Sequence, residues 1–265
     1  MRAILFDMDG VLYNSDQAIE GAARTLAWVR AQGIPHLFLT NTSSRGRDAL
    51  VEKLRGFAIS ADVRDVMTPA LAAADWLRAR NEGNAGPVAL FVPAKARSEF
   101  AGLDLLPDHA EAGARYVVIG DLVDAWDFRT LNRAFRLLRA SPDAELIALG
   151  MTKYWQAPDG LRLDVAPFVA ALEHAADKRA MVFGKPSELF FRTAAERLDV
   201  APAEVVMIGD DTEIDIGGAQ RAGMHGVVVR TGKFRPSDLK RGITPDAILD
   251  SIAALPAWWM AAAVS

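Results

Sequence analysis

Two aspartates, Asp7 and Asp9, stand two positions apart directly after a short apolar run near the N-terminus. The run, residues 3–6, predicts a buried β-strand. A parallel strand that is buried on both faces usually stays apolar to its end, so carboxylates at this point need another explanation. One carboxylate of such a pair can attack a substrate or hold a metal while the other moves a proton. Because Gly10 follows at once and Asp and Gly both favour turns, a plain turn is the alternative.

Polar residues also follow three later predicted strands. These strands are 36–39, 180–183 and 205–208. The polar residues that follow them are Thr40 and Asn41, then Lys185, then Asp210, Asp211 and Asp215. In a doubly wound sheet the loops at the carboxyl ends of the strands emerge on one edge, so these side chains can converge there. The alternative interpretation makes the Gly-Asp-Asp sequence a helix N-cap and Lys185 a solvated charge.

The chemistry of these side chains indicates a metal and a phosphate. Carboxylates at this density repel one another unless a cation lies among them. Hard oxygen ligands without cysteine or clustered histidine favour Mg²⁺, and Mg²⁺ with open positions binds phosphate oxygens. Lys185 and the N–H groups after Thr40 suit the remaining phosphate charge. The sequence contains neither GxxxxGK[ST] nor GxGxxG, which disfavours a nucleotide kinase or a dinucleotide enzyme. The residues therefore predict a magnesium-dependent phosphoryl-transfer site.

Strand and helix patterns alternate along the chain, which predicts an α/β protein with a mostly parallel sheet. Apolar residues at helical spacing predict a helix over 16–32, ended by Gly33. The predicted strands, besides the four above, are 88–92, 116–119, 146–149 and 227–230. The other predicted helices are 46–55, one with Pro69 in its first turn, 127–140, 166–176, 187–198 and 215–222.

The organisation of the chain predicts an inserted domain. A segment rich in turn-forming residues, 81–87, precedes what reads as a second α/β unit. We place this insertion at 80–178, between a first core part at 1–79 and a second core part at 179–265. One sheet built from both ends of the chain would then carry all four polar strand ends.

Composition excludes several classes of protein. The chain has 265 residues, a net charge of −4 and no cysteine, which excludes disulfides, thiolate nucleophiles and cysteine-based zinc sites. The sequence has no long run of Lys or Arg, so it does not favour a nucleic acid partner. No apolar segment reaches the ~20 residues that a membrane-spanning helix needs, and the N-terminus does not resemble a signal peptide, so we expect a cytoplasmic protein without a membrane partner. We expect the apolar stretch 257–264 to be a last helix that docks its tryptophans on the body of the protein, with a homodimer contact as the alternative.

The motifs, taken in order, resemble those of the haloacid dehalogenase superfamily. They are Asp7-Met8-Asp9-Gly10-Val11, Leu39-Thr40-Asn41, Lys185-Pro186, and Gly209-Asp210-Asp211 with Asp215. The long insertion resembles the large α/β cap of the NagD-like subfamily IIA, and the last two motifs with residues 230–238 resemble its HDHD-type hydrolases. The resemblance implies a Rossmann-like, doubly wound parallel-sheet core with an inserted α/β cap domain.

The resemblance also implies roles at the first two motifs. Asp7 would be the nucleophile that takes the phosphoryl group as an aspartyl-phosphate and would bind Mg²⁺. Asp9 would protonate the leaving group, then activate the hydrolytic water, while its backbone carbonyl binds the metal. Met8, Thr40 and Asn41 would contact the phosphoryl group, with the Thr40 hydroxyl as a donor.

Further roles fall on the last two motifs. Lys185 would offset the negative charge of the nucleophile and the phosphoryl group. Asp210 would bind Mg²⁺ directly, and Asp211 and Asp215 would hold the metal's waters and Lys185 in place.

The cap should contact the leaving group of the substrate. We expect Lys153, Tyr154 and Trp155, which follow a predicted cap strand, to form a polar and aromatic wall. An amphipathic turn on the surface is an equally good interpretation of these three residues. A cap that closes would also exclude water while the aspartyl-phosphate forms.

The expected function is a Mg²⁺-dependent phosphatase that hydrolyses small phosphorylated metabolites through an aspartyl-phosphate. Pyrophosphate and phospho-amino acids stay open as substrates. A protein that binds a phosphorylated metabolite without turning it over is the alternative from another class. A dehalogenase also uses an aspartate nucleophile but needs no metal, so the acidic Asp210, Asp211 and Asp215 disfavour it.

Overall fold

The computed structural model describes residues 1–42, 46–80, 86–157 and 159–262. Its strands are β1 (Ala3–Asp7), β2 (Tyr13–Asn14), β3 (Gln17–Ala18), β4 (His36–Leu39), β5 (Val66–Met67), β6 (Val88–Phe91), β7 (Tyr116–Ile119), β8 (Glu145–Ala148), β9 (Tyr154–Ala157), β10 (Gly160–Leu163), β11 (Ala180–Val182), β12 (Val205–Gly209), β13 (His225–Val229) and β14 (Ala247–Leu249). Its α-helices are α1 (Ala22–Ala31), α2 (Arg47–Gly56), α3 (Pro69–Arg80), α4 (Ala94–Arg97), α5 (Phe128–Arg139), α6 (Val165–Ala176), α7 (Glu188–Arg197), α8 (Gly218–Arg221) and α9 (Leu255–Ala262).

The chain forms two compact units, one built from both ends of the sequence. The first comprises Met1–Thr40, Arg47–Met67 and Lys185–Ser265, and the second comprises Asn41–Gly46 and Thr68–Gly184. The second unit contains the whole of the insertion predicted at 80–178 and extends beyond it at both ends. That the ranges 1–79, 80–178 and 179–265 are separate domains stays a prediction, and residues 81–85 of the turn-rich segment 81–87 lie outside the described residues.

The first unit is built on a six-stranded parallel sheet. Its strand order is β14-β13-β12-β1-β4-β5, with β1 at its interior between β12 and β4. All five residues of β1 are buried, as expected for a central strand covered on both faces. The chain runs from β1 to β4 on one side and later enters β12 on the other, so the order reverses beside β1. Open α/β sheets bind their ligands at the carboxyl ends of the strands at such a reversal.

The helix predicted over 16–32 is wrong in its first third. Residues 13–18 instead form the β2–β3 hairpin, in which Tyr13 pairs with Ala18 around a turn that contains Ser15 at φ +52°. Helix α1 begins only at Ala22, after Gly21 at φ +82°. A left-handed residue cannot continue a right-handed helix, so Ser15 allows the turn of the hairpin and Gly21 separates the hairpin from α1. The apolar spacing alone does not show such backbone breaks.

The last helix of the first unit lies as the sequence predicts. In α9, Leu255 is fully buried and Trp259 is 9% exposed, and both belong to the main apolar core of the unit. Trp258 is partly buried against the same core. Docking of this helix on the body of the protein is confirmed. Among the helices of the described ranges, none is both long and apolar enough to cross a membrane.

The second unit is a smaller α/β unit. Its four parallel strands have the order β11-β8-β7-β6, and its core packs this sheet against α5 and α6. Helix α3 belongs to this unit because Trp76 makes edge-on ring contacts with Tyr116 and Phe183, at centroid distances of 6.0 and 5.7 Å. An antiparallel hairpin of β9 and β10 completes the unit, with Tyr154 opposite Leu163. The predicted parallel α/β class is therefore confirmed in both units. The expectation that one sheet carries all four polar strand ends is wrong, because β11, the strand before Lys185, pairs with β8 in the sheet of the second unit.

Candidate active site

The site lies at the carboxyl ends of β1 and β12. Asp7 is the last residue of β1, and Asp210 directly follows β12. The two strands are neighbours in register, with Phe6 beside Ile208, so both aspartates reach the same edge of the sheet. Asp7 is 9% exposed and Asp210 is 1% exposed. Two nearly buried carboxylates side by side are electrostatically costly and need compensating charge.

Lys185 supplies part of that compensation. Its ammonium nitrogen lies 2.5 Å from Asp7 Oδ1 and 2.7 Å from Asp215 Oδ1. The Lys185 side chain is only 4% exposed, so it is not the solvated charge of the alternative interpretation. A buried ammonium is tolerated when carboxylates pair with it, and here two do. Lys185 therefore connects the first and fourth motifs.

Asp215 is held by backbone groups as well as by Lys185. Its Oδ2 accepts hydrogen bonds from the backbone N–H of Asp210 at 3.2 Å and of Asp211 at 3.1 Å. Gly209 makes room for it, because a Cβ at that glycine would overlap the Asp215 side chain. Asp215 thus orients Lys185 and stiffens the loop that carries Asp210, in line with the role that the resemblance implies.

Asp211 has a local structural role. Its Oδ1 accepts the backbone N–H of Glu213 at 3.0 Å and of Ile214 at 2.9 Å, which caps the π-helical segment Thr212–Gly217. The N-cap interpretation of the Gly-Asp-Asp sequence therefore holds for this residue. The predicted helix at 215–222 is in fact this π-helical turn followed by α8.

Asp210 is held by only one of its two carboxylate oxygens. Oδ2 accepts the backbone N–H of Lys233 at 2.8 Å. Oδ1 is buried and has no hydrogen-bond partner within the described ranges. The carboxylate lies between Gly10 and Gly232, since a Cβ at either glycine would overlap it. An unpartnered buried carboxylate oxygen is costly, so its presence indicates a cation or donor that belongs there.

The donor set fits a hard divalent cation. Asp7, Asp210 and Asp215 each offer a carboxylate oxygen, and the three oxygens lie within 4.8 Å of one another. All are hard oxygen donors, the kind that Mg²⁺ prefers. Within the described residues, Oδ1 of Asp210 has no hydrogen-bond partner, whereas Oδ1 of Asp215 is ion-paired with Lys185 at 2.7 Å and its Oδ2 accepts a backbone N–H. The side chain of Asp9 is not part of this group.

The charges perturb one another strongly. Burial raises the pKa of Asp7 to about 7; Lys185 opposes this shift, and Asp215 and Asp210 add to it. Burial lowers the pKa of Lys185, but the Asp215 and Asp7 carboxylates outweigh burial and raise it above the ordinary value. Burial also raises the pKa of Asp210, and the hydrogen bond from the Lys233 backbone N–H opposes this shift. Without a cation, Asp7 is therefore protonated below about pH 7, while Lys185 stays charged.

Asp9 is more accessible than Asp7. It is exposed, and its Oδ1 accepts the backbone N–H of Ser15 at 3.3 Å. Between the two aspartates, Met8 directs its side chain into the apolar core, where it is 1% exposed. Only the backbone of Met8 is thus available for the phosphate contact predicted for it.

The remaining predicted residues fall in different places. Thr40 is buried and follows β4, whose last residue Leu39 lies beside Asp7 in the sheet, so Thr40 belongs to the same edge. Asn41 groups with the second unit, as do Lys153, Tyr154 and Trp155.

Two of the three predicted cap contacts, Tyr154 and Trp155, lie in a strand rather than in a turn. Tyr154 and Trp155 begin β9 and are 58% and 38% exposed, and Lys153 just before them is exposed too.

Sequence reasoning missed the loop after β13. Residues 231–233 reach Asp210 through the backbone N–H of Lys233 and the close approach of Gly232. One contact is made by a backbone N–H and the other by a glycine, so neither depends on a reactive or charged side chain that the sequence would reveal. The Thr-Gly pair after a strand was the one available signal, and a glycine there indicates close approach of another group.

Comparison with known proteins identifies the family of this chain. The family model of haloacid dehalogenase-like hydrolases matches residues 4–105, and a second HAD-hydrolase-like model matches residues 182–255. A phospholysine phosphohistidine inorganic pyrophosphate phosphatase from Danio rerio is 37% identical over 259 residues, which cover 96% of this chain and 92% of the relative.

Two further proteins extend the comparison. A haloacid dehalogenase-like hydrolase domain-containing protein 2 from Mus musculus is 37% identical over 238 residues, covering 90% of this chain and 87% of the relative. The solved structure of NagD from E. coli K-12 is similar in fold, with a TM-score of 0.82, 23% identity and coverage of 96% of this chain and 97% of NagD.

The chain belongs to the haloacid dehalogenase-like hydrolase family. Its relatives in that family include named phosphatases, and its fold is NagD-like, as the sequence motifs predict.

Proposed function

We propose that this protein is a Mg²⁺-dependent phosphatase that hydrolyses small phosphorylated molecules through an aspartyl-phosphate on Asp7. One observation carries the proposal: Lys185 pairs with the buried Asp7 at 2.5 Å, in a group of carboxylates that includes the unpartnered Oδ1 of Asp210. This arrangement provides a nucleophile, a fixed positive charge and ligands for a cation in one place.

The cation would be held by Asp7, Asp210 and the backbone carbonyl of Asp9, with Asp211 and Asp215 supporting this set. When bound, Mg²⁺ supplies positive charge that offsets the charge of the phosphoryl oxygens and of the carboxylates.

In the first step, the Asp7 carboxylate attacks phosphorus in line, and the bond to the leaving oxygen breaks. Asp9 gives its proton to that oxygen. Lys185 holds the Asp7 carboxylate and offsets the charge of the phosphoryl oxygens.

In the second step, Asp9 takes a proton from water, and the resulting hydroxide attacks the aspartyl-phosphate. This releases inorganic phosphate and restores Asp7. Thr40, Asn41 and the backbone of Met8 would hold the phosphoryl oxygens in both steps. Positioning and charge neutralisation should supply most of the rate.

The substrate would be a small molecule. Phospholysine, phosphohistidine and inorganic pyrophosphate, which stand in the name of the Danio rerio relative, are the first compounds to test. Lys153, Tyr154 and Trp155 stay proposed substrate contacts. A cytoplasmic location and a homodimer also stay predictions.

The test is hydrolysis of p-nitrophenyl phosphate with Mg²⁺ and with EDTA, for the wild type, Asp7→Asn and Asp9→Asn. We expect turnover only with Mg²⁺, none from Asp7→Asn, and a loss of about 10²–10⁴-fold from Asp9→Asn with phosphate binding retained. Turnover by Asp7→Asn would overturn the assignment of the nucleophile. If the wild type binds phosphorylated metabolites from a broad panel but hydrolyses none, the protein is a binding protein instead.

A further inference from the structure

The loop after β13 links two parts of the site that are far apart in sequence. We name residues 231–233 the strap. The Thr231 hydroxyl donates a hydrogen bond to the carbonyl of Gly10 at 2.6 Å. The Asn14 side chain donates to the carbonyl of Thr231 at 2.9 Å. The strap is therefore tied to the turn that carries Asp9 and to the hairpin behind it.

The other end of the strap decides which oxygen of Asp210 stays free. The Lys233 backbone N–H takes Oδ2 at 2.8 Å, and Gly232 lies against the same oxygen. A Cβ at Gly10 would overlap the same oxygen. With Oδ2 enclosed in this way, Oδ1 is buried and has no hydrogen-bond partner among the residues that the structure describes. The strap thus fixes the orientation of Asp210.

The strap is itself held firmly. The Arg235 guanidinium donates to the carbonyls of Gly232, Lys233 and Phe234 at 3.0, 3.1 and 2.7 Å. Phe234 is 5% exposed and packs in a small apolar cluster with Ile216. These contacts fix the C-terminal end of the strap, so the Thr231 hydroxyl is the side-chain contact that joins its N-terminal end to Gly10.

We propose that Thr231 is a positioning residue for the cation site, acting through Gly10 and the strap on Asp210. The inference rests on the proposed function, because it concerns the cation that Asp210 would hold. Loss of the hydroxyl would let the turn at Gly10 separate from the strap and let the Asp210 carboxylate rotate. Loss of an outer hydrogen-bond partner of a metal ligand typically costs about 10- to 100-fold in metal affinity or activity.

The test measures Mg²⁺ alone, by calorimetric titration without substrate. Thr231→Val removes the hydroxyl at nearly constant volume, and Thr231→Ser keeps it. Thr25→Val is the control, because the Thr25 hydroxyl likewise donates to a distant carbonyl, that of Ile252, at 3.2 Å; Thr25 lies in α1 and is buried, whereas Thr231 is partly buried. Asn14→Ala, at an exposed position, loosens the strap from its other side and serves if Thr231→Val does not fold.

We expect Thr231→Val to weaken Mg²⁺ binding roughly 10-fold, and Thr231→Ser and Thr25→Val to bind like the wild type. Asn14→Ala should weaken it in the same direction. Saturating Mg²⁺ should restore most of the turnover of Thr231→Val.

Two results would overturn the inference in distinguishable ways. If Thr231→Val binds Mg²⁺ as tightly as the wild type does, the role of the strap is overturned and the proposed function stands. The same holds for Asn14→Ala if that variant replaces Thr231→Val. Absence of Mg²⁺ binding by the wild type overturns the proposed function, and the inference with it.

Discussion

The ammonium of Lys185 lies 2.5 Å from Oδ1 of Asp7, and both side chains are almost completely buried. The two residues are 178 positions apart in the chain and come from opposite sides of the insertion. Their pairing shows that the two ends of the sequence form one site. It also makes the fold sensitive to the loss of the Lys185 charge, which two buried carboxylates share.

Removal of the Lys185 charge should destabilise the fold. Lys185→Met keeps the aliphatic stem but leaves two buried carboxylates without their cation, so we expect the free energy of unfolding at pH 8 to fall by about 3 kcal/mol. Lys178→Met is the control, since Lys178 is partly exposed and its ammonium donates to the carbonyl of Pro142. Urea unfolding of both variants without metal makes the comparison. If both variants lose the same small amount of unfolding free energy, the buried Lys185 stabilises the fold no more than Lys178 does.

Replacement of the nucleophile should stabilise the metal-free protein. The folded state raises the pKa of Asp7 from 3.8 to about 7, so it binds this proton more tightly than the unfolded chain does. Stability from this group is therefore present at low pH and lost as pH rises from about 4 through about 7. Asp7→Asn mimics the neutral acid and avoids that loss.

Thermal melts in EDTA check this prediction. We expect Asp7→Asn to melt several degrees above the wild type at pH 8, with a much smaller gap at pH 5. A lower melting temperature of the variant at pH 8 would contradict the raised pKa.

Cation binding should depend on pH for the same reason. A metal must displace the proton from Asp7, whose pKa is about 7 in the metal-free protein. Below that pH the apparent Kd for Mg²⁺ should rise by about 10-fold per pH unit, and above pH 8 it should level off. Titrations with Mg²⁺ between pH 5.5 and 8.5 measure this slope. A flat profile would show that the cation does not compete with the Asp7 proton.

Gly10 should be required for the cation site and not only for the turn. It has φ +85°, and a Cβ there would overlap the Asp210 carboxylate. Gly242 has φ +84° with no neighbour within 4 Å, so Gly242→Ala carries the same backbone strain alone. We expect both alanine variants to lose about 1–2 kcal/mol from strain, and only Gly10→Ala to lose Mg²⁺ binding.

Calorimetric titration with Mg²⁺ and urea unfolding separate these effects. If Gly10→Ala binds Mg²⁺ like Gly242→Ala, the close approach of Gly10 to Asp210 has no role in the site.

Local patterns predicted most of the elements that carry the site. The apolar run before Asp7 predicted β1, and Gly33, at φ +64°, ends α1 as expected from its lack of a Cβ. The same kind of reasoning placed α1 six residues too early, because helical spacing of apolar residues does not reveal left-handed positions such as Ser15 and Gly21. Four other short strands, β5, β9, β10 and β14, were also missed, since their pairing partners decide whether so few residues form a strand.

The sequence by itself determined the family, the α/β class and the candidate residues at four strand ends. Residue type and spacing within a few positions carry that information, because a carboxylate after a buried strand is already exceptional. Only the tertiary structure decided which role each of these residues has. Asp211 caps a helical turn, Asp215 orients Lys185, and one oxygen of Asp210 stays free because a backbone N–H 23 residues later takes the other. Backbone donors are the same in every non-proline residue, so packing alone determines which of them reaches a carboxylate.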